Sequence, residues 1–196
     1  GSLAQLGRHR EAREVCEWLR RICEARGGFE GDSYVRREYA SSLQWLAAHD
    51  VQLGRLDAIF SRLDSLEGEL RKLEHVPDHL AGVYRVRGDA FLATEQPEKA
   101  VAAYQRTIEL GGYDQETAGY GAASAYASLA RAQARLGPDG LHAAATALER
   151  SWRAAQSRGD GDSLVFVPYF LAKSEVDLAR GEYAGAAEAV ESALRI

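Results

Sequence analysis

The sequence predicts an all-α fold: helix-turn-helix hairpins stacked into a right-handed superhelix, a solenoid of about four and a half repeats. Two observations carry this. A short turn pattern recurs along the chain, and the stretches between turns show apolar residues at helical spacing. Nowhere does a run of alternating apolar and polar residues call for a strand.

The turns are LGRHREA (6–12), LGRLDAI (53–59), TEQPEKA (94–100) and RGEYAGA (180–186). In each, the turn residue (Gly7, Gly54, Glu95, Gly181) precedes Ala12, Ile59, Ala100 or Ala186 by five positions. A further turn, LGPDGLHAA, begins at Gly137 and carries about two extra residues before Ala144. Four positions past each small or branched residue stands Cys16, Leu63, Tyr104, Leu148 or Val190. Upstream of the turns lie Leu43, Leu46 and Ala47; Tyr84, Gly88 and Phe91; Tyr126, Leu129 and Ala130; and Phe170 and Ser174. Glycine and alanine let two helix backbones approach, as at Gly88 and Ala100, and the larger residues fill the space around them.

This pattern resembles the tetratricopeptide repeat over nearly the whole chain. Turn-to-turn spacings of 47, 41, 42 and 44 residues exceed the usual ~34, so the helices must be longer. Longer repeats of this kind are similar to those of bacterial regulators related to the maltose activator, of peptide-sensing regulators and of kinesin light chains. The resemblance implies one solenoid over 1–196, with repeats at about 3–26 (a half), 33–74, 79–110, 115–157 and 163–196.

Helices are expected at 9–25, 33–52, 56–74, 79–94, 97–110, 115–136, 140–157, 163–180 and 183–196. Asp32/Ser33, Asp78, Asp114 and Asp162/Ser163 supply capping oxygens at four starts. Pro97 suits a first turn, where its missing N–H has no intrahelical partner to lose. Pro168 implies a kink or late start. Leu56, Ile59, Leu63, Leu66, Leu70 and Leu73 form a 3-4 seam that reads as the packing face of a solenoid helix rather than a coiled coil.

The totals exclude several classes. A composition 46% hydrophobic and 27% charged belongs to a folded globular protein. The net charge of −5 argues against nucleic acid as partner. No run is apolar enough to span a membrane. Cys16 and Cys23, seven apart on one helix, are too distant for a disulfide. They read as reduced thiols of a cytoplasmic protein. Gly1-Ser2 and the absence of Met suggest a segment of a longer protein, and the Arg, Ala and Gly content suggests a GC-rich bacterium.

No catalytic constellation assembles, so no enzyme is expected, and no cofactor. GGFEGD and GGYDQE lack the Lys-Ser/Thr of a phosphate loop. His75 and His79 are four apart, but Pro77 intervenes and no third ligand is evident, so no metal is expected. Asp57, Asp64, Glu67 and Glu69 interleave with Arg55, Arg62, Arg71 and Lys72 as a solvated face. RGD at 87–89 falls inside a helix, and RGD at 158–160 falls in a loop; both read as chance.

The repeat resemblance implies a concave groove that binds a protein or peptide. One step on from the packing phase lie Gln44, Trp45 and Ala48; Arg85, Asp89 and Leu92; Arg131 and Arg135; and Leu171 and Glu175. Arginine beside an aromatic residue is the composition of recognition hot spots. The bland reading is mutual pairing: Arg85 with Asp89, and Asp89 with Arg131. The Lys/Asn carboxylate clamp of chaperone-binding repeats is not matched, since Arg85 and Asp89 occupy its first pair. On 183–196, Tyr183, Ala187, Val190 and Leu194 form one apolar stripe, and Ala186, Ala189, Ala193 and Ile196 form another. One can pack on the preceding helix. The other, Tyr183–Ala187–Val190–Leu194, is expected to meet a following repeat or a second copy. An alternative function is the ligand-sensing arm of a bacterial signal-transduction ATPase or transcriptional regulator.

Overall fold

The computed structural model describes residues 8–73, 77–113, 119–156 and 163–196. Among these, every regular element is helical. The α-helices are α1 His9–Ala25, α2 Ser33–Gln52, α3 Ile59–Leu70, α4 Pro77–Ala93, α5 Pro97–Leu110, α6 Tyr120–Ala134, α7 Leu141–Gln156, α8 Val167–Arg180 and α9 Tyr183–Leu194. No helix of the described residues is long and apolar enough to cross a membrane. The chain divides into two compact units, Gly1–Ala93 and Thr94–Ile196.

In the first unit α2 packs against α1, α3 and α4, and α3 packs against α4. The seam residues Ile59, Leu63, Leu66 and Leu70 are all at most 5% exposed and join Val51, Val83, Val86 and Ala90 in one core. Leu56 and Leu73 pack at its edge. Burying such side chains stabilises the fold by roughly 1.5–3 kcal/mol each. Phe91 stacks on Phe60 of α3, the helix that precedes its own, with ring centroids 4.7 Å apart.

The second unit is built on alanine. α6 buries Ala122, Ala123, Ala125, Ala127, Ala130, Ala132 and Ala134, and it packs against α5, α7 and α8. Small side chains on this scale allow close helix approach. Ser151 of α7 donates its hydroxyl to the Ala123 carbonyl at 2.8 Å, a bond reaching straight across to the α6 backbone. α9 packs on α8.

The helix ends explain where the expected boundaries move. Asp32 caps α2, accepting from the Val35 N–H at 2.9 Å. Asp78 does not cap: α4 starts at Pro77, which places Asp78 in the first turn. Asp114 and Asp162, like Gly7, His75 and the second RGD, lie outside the described residues. α3 starts at Ile59 rather than 56, because Ala58 sits in the left-handed region at φ 54° and breaks the helical path. Pro97 occupies the first turn of α5. Pro168 produces the late start, α8 beginning at Val167 after a 3-10 turn over Ser163–Phe166. At Gly181, φ 79° lets the Glu182 N–H reach back to the Asp177 carbonyl at 2.8 Å, a six-residue closure of the helix end. Arg55 closes on Asp50 in the same way, also at 2.8 Å. After Gly137 the next residue is Pro138, which has no N–H to give. A 3-10 turn, Pro138–Gly140, follows instead and accounts for the extra residues seen in the sequence.

Candidate partner-binding surface

Four of the expected groove residues come together in the first unit, on α2 and α4. Trp45 is 38% exposed. The Arg85 guanidinium stands over its ring, 5.8 Å from the centroid, close enough for a cation–π attraction. Arg85 also donates from Nη1 to Asp89 Oδ2 at 3.4 Å, one helical turn on. Gln44 presses against α4 where Gly82 has no side chain; a Cβ there would lie 2.2 Å from the Gln44 amide nitrogen. Gln44 is thus held by close helix packing. Ala48 and Leu92, expected on the same surface, are buried in the core because both fall on a packing face.

The second unit brings the other three together. Arg131 Nε donates to Glu175 Oε1 at 2.7 Å, and Arg135 Nη2 lies 3.5 Å from Glu175 Oε2. One carboxylate therefore faces two guanidiniums from the neighbouring helix. Leu171, one turn earlier on α8, is 47% exposed.

Sequence reasoning missed the most deeply set charge. Asp50 is 1% exposed. It accepts from Arg13 Nε of α1 at 2.6 Å and from Arg62 Nη1 of α3 at 2.8 Å, tying three helices through one carboxylate. Hydrogen bonding to Asp50 raises the Arg13 pKa above its ordinary value. A signal was present, since Asp50 follows the core residues Leu46 and Ala47 at helical spacing, where a lone solvated charge does not belong. Beside it, His49 is 3% exposed. His49 stacks on Trp45 and meets His9, Nδ1 to Nδ1, at 3.3 Å. Burial, then the adjacent His9, push its pKa below the usual histidine range.

On the acidic and basic face of α3, Asp64, Arg71 and Lys72 are exposed as expected, and Glu67, with its side chain 13% exposed, is the exception. Glu67 accepts from Arg71 at 2.7 Å, the Tyr84 hydroxyl at 2.7 Å and Arg87 at 2.8 Å. Burial raises its pKa, but these donors outweigh that effect and hold it below the ordinary carboxylate value. The first RGD is absorbed into this packing through Arg87. Burial pushes both cysteine thiols up in pKa, opposite to what a nucleophile needs. Among the described residues no group of three or more His, Cys, Asp or Glu could hold a metal ion.

On α9 the two stripes separate. Ala186 and Ala189 are buried against the unit, while Tyr183, Val190 and Leu194 are 73%, 42% and 80% exposed. Ala187 is exposed with them, and Ile196 lies past the last helical turn and is exposed too.

No family model and no curated protein matches the chain. Among solved structures it is similar to the crystal structure of a Podosopora anserina kinesin light chain candidate with nearly identical TPR-like repeats. The likeness has a TM-score of 0.60 at 19% identity and covers 99% of this chain and 89% of that one. The helical order and this likeness together show an all-α, tetratricopeptide-like repeat fold.

Proposed function

We propose that the chain is a protein-interaction module, and that the surface built by Trp45, Arg85 and Asp89 with Gln44 contacts a protein or peptide partner. The second contact set is Arg131, Arg135 and Glu175. The carrying observation is the exposed Trp45 ring with Arg85 over its face. Tryptophan and arginine dominate the energetics of recognition surfaces, and rigid helices lose little entropy on engaging a partner. Selection of a phage-displayed random peptide library on the intact chain tests this. Trp45→Ala is expected to weaken the selected peptides by about 2 kcal/mol, roughly 30-fold. Selected peptides that bind Trp45→Ala and Arg85→Ala as well as the parent would refute this surface.

A second reading, the ligand-sensing arm of a bacterial regulator working in the cytoplasm, is supported by the long repeat spacing of 41–47 residues. In either reading the exposed Tyr183–Ala187–Val190–Leu194 stripe serves as an interface for self-association.

A further inference from the structure

A cleft of about 360 Å³ opens in the first unit, lined by α1, α2, α3 and Phe29. It lies within the size range of small-molecule sites. Its apolar wall consists of Phe29, Leu43, Leu46, Leu63 and Leu66. Arg13, Asp50 and Arg62 also line it. Here two guanidiniums share one carboxylate whose side chain is only 2% exposed. One arginine neutralises Asp50, which leaves about one positive charge over. The donors are also in excess. Among the described residues, Arg13 uses only Nε, and Arg62 uses Nη1 on Asp50 and Nη2 on the Asp57 carbonyl. Both terminal nitrogens of Arg13 and Nε of Arg62 remain for a ligand.

The other charges lining the cleft are balanced. Glu17 accepts from Arg20 and lies 3.5 Å from Arg21. Arg20 also pairs with Glu24, and Glu69 holds Lys72 at 2.6 Å. The cleft thus offers one cationic end and one apolar wall.

We propose that this cleft binds an amphipathic monocarboxylic acid, its carboxylate on Arg13 and Arg62 and its aliphatic body along Phe29, Leu43, Leu46 and Leu66. A guanidinium offers paired donors that match a carboxylate. The apolar body contributes through burial. An amine of the same length meets like charge, and an alcohol forgoes the charge-assisted bonds. None of the residues invoked belongs to the Trp45 surface, so the site stands or falls separately from the partner reading.

Calorimetric titration of the whole chain with octanoate, octanol and octylamine tests it. Octanoate is expected to saturate one site, with octylamine at least tenfold weaker and octanol between them. Arg13→Gln is expected to reduce octanoate affinity about tenfold, and Arg13→Lys is expected to lose only part of that. Ser65 is exposed and lines the cleft, so Ser65→Trp is expected to fill it and abolish binding while leaving helicity and melting temperature unchanged. Absence of saturable octanoate binding, equal affinity for octanoate and octylamine, or octanoate affinity unchanged by both Arg13→Gln and Ser65→Trp would overturn the proposal.

Discussion

At the scale of single residues, one repeat position recurs with a buried polar side chain. Four places before the turn glycine stand Asp50, Gln133 and Asp177. Asp50 and Asp177 are 1% and 2% exposed. Asp50 holds two arginines and Asp177 holds Lys173, whereas the Gln133 Oε1 is buried with no partner among the described residues. Asp50→Asn keeps the shape but removes the charge that two guanidiniums face. The expected loss is about 2 kcal/mol of stability by chemical denaturation, smaller than for a fully enclosed pair because both arginines can turn to water. His49 sets a pH dependence. Its folded pKa lies below the ordinary ~6.5, so the unfolded chain binds the extra proton more readily. Its contribution is fully present above that ordinary value and is lost as pH falls through and below it. His9 and Arg13 oppose protonation and Asp50 favours it. The melting temperature is expected to fall between pH 7.5 and 5.5, and His49→Gln to flatten that slope; equal slopes in the two proteins would exclude His49 as the cause. The pairing of Arg85 with Asp89 could be read from i,i+4 spacing alone. Asp50 with Arg13 could not, because 37 residues separate them and only the packed hairpin brings them within reach.

The elements themselves were largely legible, and the reasons are local. α1, α2 and α5 fall where apolar spacing, the Asp32 cap and Pro97 place them. α3 is shorter than its leucine seam because a single backbone angle at Ala58 overrides the side-chain pattern. The turn at Glu95 is the informative exception among the repeats. Its φ of 57° is positive like those of Gly54 and Gly181 at the matching place. A side chain in that region costs about 1–2 kcal/mol. Glu95 is exposed, so little packing offsets the strain. Glu95→Gly is expected to stabilise the chain by about 1 kcal/mol despite the usual entropic cost of glycine, read as a raised denaturation midpoint. The uncovered stripe of α9 makes a further expectation. Light scattering should show self-association that Val190→Glu with Leu194→Glu abolishes without loss of helicity. A monomer at every concentration would remove the stripe as a self-interface.

For the whole molecule, the repeat phase was the strongest signal, because five turns in register carry information that no single turn does. It anticipated the all-α repeat fold. It did not reveal that the chain packs as two compact units, nor the cleft lined by α1, α2 and α3. Both depend on how far helices stand apart, which side-chain volume decides: large aliphatic residues fill the first unit, and alanines draw the second together.

The Pro138–Gly140 turn carries a last consequence. A β-carbon on Gly140 would fall 1.9 Å from the Gln133 main-chain oxygen, a collision with backbone that no rotamer can relieve. Any side chain at this position therefore requires the start of α7 to move away from the end of α6, so the absence of one atom sets how closely the two helices can be joined.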